Sequence, residues 1–206
     1  MRQPTTQNLY KYWNEVRAGR LAPERMDIEP GRIGALLAET FILERADFET
    51  YRFRLAGTRV CDMVGSELRG TDFLAPWTAD DRYDLERAML TIGQQGGALR
   101  LDVVSSPHTP HRLAHFEVLV LPLVHGSGRV DRYMGCWCAI DPPSWLGAEA
   151  IVSHTLIGHQ IIWPDGRPYA VARQNQAPFL PEVRNARIVR SDRRQFRVYD
   201  GGLSKR

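Results

Sequence analysis

The sequence predicts an α+β fold: an antiparallel sheet with helices on one face, preceded by a helical cap. Three observations predict it. Strand-like alternation falls in two blocks, 40–57 and 99–140, a helical block lies between them, and the last strand is apolar on both faces. Strands grouped on either side of helices, instead of alternating with them, indicate α+β and not a parallel α/β sheet.

Leu9, Tyr12, Trp13 and Val16 recur at i, i+3, i+4 and i+7, the stripe of an amphipathic helix, and Gly19 is its stop. Pro30 suits the first turn of a second short helix with the stripe Ile33, Leu36 and Leu37. "TFILERAD" (Thr40 to Asp47) reads as a strand and "YRFRLAG" (Tyr51 to Gly57) as its hairpin partner, with Tyr51, Phe53 and Leu55 alternating against Arg52 and Arg54. Two stubby helices broken by Gly65 and Gly70 are expected next. Thr78 followed by Asp80 and Asp81 makes a helix start, because a side-chain oxygen and first-turn acids both suit the positive end of a helix. Leu85, Met89 and Ile92 form its stripe, and Gly96-Gly97 ends it.

Three strands follow, Leu99 to Ser105, Arg112 to Val124 and Arg129 to Ile140, with turns at Pro107 to Pro110 and Gly126 to Gly128. In the last of them Met134, Cys136, Cys138 and Ile140 share one face, and Tyr133, Gly135, Trp137 and Ala139 the other. Each face needs a cover: one the domain interior, the other the N-terminal helix or a partner chain. Past Asp141-Pro142-Pro143 the pattern weakens. Ile161 to Trp163 and Tyr169 to Ala172 flank a turn at Pro164 to Gly166, and Phe196 to Tyr199 reads as a short strand. The organisation expected is a helical cap (1–39), a core (40–140) and a C-terminal extension (141–206) that is basic from about 182.

A chain of 206 residues with 43% hydrophobic residues can fill a core, and a net charge of +3 does not by itself demand nucleic acid. The odd count of 3 cysteines is no disulfide framework and fits a reducing cytoplasm. "MRQPTTQNLYKYW" has no apolar run of a signal peptide, and Phe116 to Val124 is too short to span a bilayer, so a cytoplasmic protein without membrane span is expected.

The stretch "LAGTRVCDMVGSELRGTDF" resembles the segment of PAS domains that comes after their first hairpin, with Gly65, Glu67, Leu68, Gly70 and Phe73 in the matching places. More narrowly, "LYKYWNEVRAGRLAPERMDIEP", "FILE" and "RLAGTRVC" are similar to a family of small alphaproteobacterial PAS-like proteins. That resemblance covers about Leu9 to Ile140 and implies a sensory or regulatory module that signals through protein–protein contact, with a small ligand in its core. It also implies a homodimer formed through the flanking helix. Two rivals stand beside it: a cone-shaped enzyme of the nuclear-transport-factor type, and a structural adaptor without ligand.

Alternation and the PAS-like order together put Phe53, Leu55, Val60, Met63, Val64, Phe116, Val118, Cys136 and Cys138 in one apolar interior, the expected pocket. Covalent flavin chemistry of the LOV type is not expected, since Cys61 lies inside the first short helix and 67–73 holds no cysteine. Haem bound through the long helix is not expected either, because Thr78 to Ile92 contains no histidine. His108, His111 and His115 cluster on paper, but Pro107 and Pro110 break any helix that would align them, and no metal site is expected. Glu44 and Glu117 are read as partners of arginines, not as an acid pair, and no catalytic motif is found. From Glu182 onward Arg184, Arg187, Arg190, Arg193, Arg194 and Arg197 outnumber the acids, a patch that suits phosphates of a nucleotide or nucleic acid. A solvated tail is the simpler reading, and nucleic acid is not the favoured partner.

Overall fold

The computed structural model describes residues 1–47, 49–126 and 128–174, with the strands Ile188–Val189 and Val198–Tyr199. The chain divides into Met1–Ala172 and Arg173–Arg206. In the second unit the two short strands pair antiparallel, Ile188 opposite Tyr199. The basic positions Arg184, Arg187, Arg190, Arg193, Arg194 and Arg197 lie outside the described residues.

In the first unit six strands form one sheet: β1 (Thr40–Arg45), β2 (Tyr51–Ala56), β3 (Ala98–Pro107), β4 (Ala114–His125), β5 (Arg129–Ile140) and β6 (Ile151–Ile162). Their spatial order is β2-β1-β5-β4-β3-β6, and every pairing is antiparallel. The sheet therefore runs past Ile140: β6 belongs to it, pairing with β3 from Ala98–Ile162 to Pro107–Ile151. Its sequence, "IVSHTLIGHQII", hides this strand, because Ser153, His154, Gly158 and His159 interrupt the alternation.

Helix α1 (Pro4–Arg17) begins with proline, whose missing N–H costs nothing in a first turn, and ends where Ala18 turns left-handed at φ 47°. It lies on its own sheet. Leu9, Tyr12 and Trp13 are buried against Leu119, Leu121, Leu123, Met134 and the two strand cysteines, with Val16 half-buried at the edge. The Trp13 indole N–H donates to the Pro122 carbonyl at 2.9 Å. The stripe offered to a second subunit is thus already covered within the chain. Pro30–Glu39 is a 3-10 helix, kinked at Ile33, that continues this cap.

The opposite face carries α2 (Thr58–Val64) and α3 (Ala79–Gln95). Thr78 caps α3 by accepting the Asp81 N–H, and Leu85, Ala88, Met89 and Ile92 are its buried stripe. The second stubby helix does not form. After Gly65 the chain runs as turns to Trp77, because its backbone is engaged by the two edges of the sheet. On β2, Gly70 N–H donates to Phe53 O at 2.7 Å and Phe73 N–H to Tyr51 O at 2.8 Å. On β6, His154 N–H donates to Pro76 O at 2.9 Å, and Leu156 N–H to the Asp81 carboxylate at 3.1 Å. A helix here would leave those edge groups unpaired.

One strap therefore fastens both edges. Three residues, from Phe73 to Pro76, reach no further than about 11 Å, so β2 and β6 approach closely and the sheet is curled. Trp137 on β5 and His154 on β6 show the same curl. Three strand spacings separate them, about 14 Å in a flat sheet, yet their rings lie 4.9 Å apart.

Candidate functional site

The concave face holds an aromatic cluster. Phe41, Phe53, Phe73 and Trp137 meet with ring centroids between 5.7 and 6.4 Å apart. Gly135 makes this possible: a Cβ there would lie 2.3 Å from the Phe41 ring and 2.2 Å from the Leu119 carbonyl. Between this cluster, α2 and the strap lies a cavity of about 330 Å³. Phe53, Val64 and Trp137 form its floor, the strap residues Leu68, Thr71 and Phe73 one wall, and Ile151 and His154 of β6 the other. Ala75 stands exposed beside it.

Its polar features are few. His154 is 3% exposed and sits between Trp77 and Trp137, with ring centroids at 5.1 and 4.9 Å. Burial among indoles disfavours the imidazolium and pushes its pKa down to about 4, so the ring is neutral at pH 7. Its Nδ1 meets the Ser105 hydroxyl at 2.7 Å. Ser105 lies behind the histidine on β3 and not in the cavity wall, so the pair is no nucleophile–base arrangement facing a substrate. The Trp137 indole N–H is buried without a hydrogen-bond partner. Asp72 also lines the cavity, but its Oδ1 accepts the N–H groups of Tyr51 and Leu74 and its Oδ2 faces Arg82 at 3.9 Å.

Six of the nine residues expected in one interior are together there: Phe53, Val60, Met63, Val64, Phe116 and Val118, with Phe53 and Val64 at the cavity itself. The other three are not. Leu55 is 48% exposed, because the β1–β2 register shifts between Ile42 and Leu43 and one extra residue turns Leu55 to the other face. Cys136 and Cys138 lie beneath α1, since the face of β5 that enters the interior is that of Tyr133 and Trp137. The hydrogen bond to Cys138 and burial push the Cys136 thiol above its ordinary range, which leaves it an inert core group. Cys61 is in α2, 3.9 Å from the Glu67 carboxylate and outside the cavity wall. His108, His111 and His115 are exposed, and no group of metal-ligating side chains occurs among the described residues. Sequence reasoning missed His154, Trp77 and Trp137. Only Trp137 carried a signal, a large aromatic beside Gly135 on the face not chosen.

Glu44 does pair with arginines, Arg132 at 2.8 Å and Arg54 at 3.3 Å. Glu117 also has an arginine beside it, Arg100 at 3.6 Å, but shorter contacts hold it. It lies fully buried on β4 under the start of the cap, where its carboxylate accepts the backbone N–H groups of Arg2 and Gln3 and the Thr6 hydroxyl. Burial alone would raise its pKa, and those donors outweigh it, so the net direction is down.

A family model described as PAS domain matches residues 1–138. The chain belongs to the PAS domain family. Its α+β class, an antiparallel sheet with helices, is the one the sequence predicts, with β6 as a sixth strand. Among solved structures it is similar to the LOV protein of Rhodobacter sphaeroides, 16% identical over 52% of this chain and 61% of that one, with a TM-score of 0.38. It is also similar to the PAS domain of Bordetella pertussis BvgS, 17% identical over 55% of this chain and 85% of that one, with a TM-score of 0.35. The chain thus spans about 61% of the Rhodobacter protein's length. No curated protein matches. PAS domains are sensory signalling modules, typically not catalytic, that commonly mediate protein interactions and dimerisation, and this one is a sensory PAS module. Among the described residues no helix is long and apolar enough to cross a membrane.

Proposed function

We propose that this PAS domain is a cytoplasmic sensor that takes a small, mainly apolar ligand into the curled face of its sheet and passes the signal on through protein contact. The observation that carries this reading is the cavity between the aromatic cluster and the strap, with a buried indole N–H unsatisfied beside it. A native interior does not keep a buried donor unpaired without cause. An apolar cleft with few polar groups is the usual form of a small-ligand site. Protein contact as the output rests on the family, whose members commonly act that way. The strap is suited to relay the signal, since a ligand pressing on Leu68 or Phe73 presses on backbone bonded to β2 and β6.

The test is a thermal-shift screen of small aromatic molecules against the full chain and Ala75→Trp, which puts a bulky ring at the exposed edge of the cavity. Binders should raise the melting temperature of the wild type and not of Ala75→Trp. A shift that survives in the variant places binding elsewhere. A panel without any binder argues for an adaptor with a closed core.

A further inference from the structure

We infer that the ligand of this cavity is an uncharged aromatic molecule bearing one hydrogen-bond acceptor, a carbonyl or its equivalent, which the N–H groups of Trp137 and His154 receive. The inference rests on the reading of the cavity as a ligand site, and it specifies the ligand's chemistry.

Ser105 is 1% exposed, and among the described residues its hydroxyl has the His154 Nδ1 as its one hydrogen-bond partner. A buried hydroxyl proton needs an acceptor. Ser105 therefore donates to Nδ1, and the single proton of the neutral imidazole sits on Nε2. Nε2 has no partner among the described residues. Nδ1 is turned to β3, so the ring offers its remaining edge to the cavity that His154 lines. Trp137, which also lines the cavity and lies 4.9 Å from the same imidazole, adds a second unpaired N–H. The two donors sit on rings whose centroids are 4.9 Å apart, and neither ring has a free acceptor, so the lone pair must come from the ligand. That tautomer also leaves Nε2 without a lone pair for a metal.

Charge is excluded by the same wall. It contains no lysine or arginine, and its one carboxylate, Asp72, repels an anion. That carboxylate already has the N–H groups of Tyr51 and Leu74 on Oδ1 and the Arg82 guanidinium 3.9 Å from Oδ2, so it does not call for a cation. The rings of Phe53, Phe73 and Trp137 favour a flat apolar body. At about 330 Å³ the cavity is near the lower end of ligand sites, which keeps the body small.

Three probes of nearly equal shape separate the possibilities: acetophenone, with a carbonyl; ethylbenzene, with none; and benzoate, charged. Binding to the full chain is followed by NMR through the Trp137 indole and His154 imidazole resonances, at probe concentrations up to about 1 mM. Acetophenone should bind at least about tenfold more tightly than either of the others, because a ligand without an acceptor leaves the donors unpaired. It should move the indole N–H resonance downfield. Trp137→Phe keeps the ring and removes the donor, so it should shrink the preference over ethylbenzene several-fold while ethylbenzene still binds. Equal affinities, a preference for benzoate, or an undiminished preference in a folded Trp137→Phe would overturn the inference and leave the ligand site standing. Failure of all three probes to shift either resonance would instead overturn the ligand-site reading, and this inference with it.

Discussion

Replacing Glu117 by glutamine should loosen the cap specifically. The carboxylate accepts from Arg2 N at 2.8 Å, from Gln3 N at 3.0 Å and from the Thr6 hydroxyl, and it is fully buried. Hydrogen bonds to a charged group contribute about 1.5–3 kcal/mol each. Arg2 is exposed and water replaces part of what it loses, so the sum overstates the effect. The amide keeps one acceptor but turns an NH2 group toward donors. A loss of about 2–4 kcal/mol is expected, which in a chain of this size lowers the melting temperature by about 4–16 °C. Urea unfolding followed by circular dichroism gives the magnitude, and hydrogen exchange gives the location, with α1 losing protection before α3. Acid gives a second readout. The folded-state pKa of Glu117 is depressed, so its contribution is present above the ordinary carboxylate range and is lost as pH falls through the folded value. Glu117→Gln should erase that part of the acid slope. A loss below about 0.5 kcal/mol, or protection falling equally in α1 and α3, would refute the assignment of Glu117 as the anchor of the cap.

Gly65 sits at φ 77°, and a Cβ there would lie 2.8 Å from the Ala150 backbone, so Gly65→Ala should destabilise by more than about 1 kcal/mol; an unchanged melting temperature sinks this. Gly57 has an ordinary φ of −67°, but a Cβ there would lie 2.3 Å from the Leu37 carbonyl. Gly57→Ala should therefore force apart the 3-10 helix and α2, visible as lost exchange protection at both. His154 titrates at about 4 when folded against 6.5 ordinarily, so its neutral state favours folding fully above 6.5 and this advantage is lost as pH falls toward 4, by about 3 kcal/mol. His154→Phe should flatten stability across that window, and equal slopes in the two proteins would count against it. Trp13→Ala should cost about 3–5 kcal/mol through the emptied space under α1, while light scattering shows the same mass as the wild type; a change of mass would implicate the helix in assembly.

Helix positions were legible where periodicity and caps agree, as at Leu9, Tyr12 and Trp13, and at Thr78. Strands β1 to β5 were legible because their alternation survives. The choice of face on β5 was not, since both faces are apolar and only Gly135, tucked against Phe41, distinguishes them. The bulge that turns Leu55 outward leaves no mark in "YRFRLA", because register belongs to the pair of strands and not to either one. β6 escaped for a related reason. It is an edge strand with one curved neighbour, and its inward histidine is stabilised by Trp77 and Trp137, distant in sequence. The strap was read as helix from its glycines, and the glycine at 65 does end α2, but the path of the strap beyond it is set by sheet edges that local sequence does not contain.

The strap has a consequence for how the chain reaches this structure. It joins Tyr51 to His154, groups that come together only after β3, β4 and β5 have paired, so the seam closes late and contributes little to the folding rate. Until it closes, β2 and the start of β6 are open edges able to template a neighbouring chain. The sequence of β6 carries no charged residue to discourage that from Ile151 to Ile162. Aggregation during refolding should thus be governed by the few backbone bonds at Phe73 and Pro76, and a small molecule that fills the cleft would act as a folding aid before it acts as a signal.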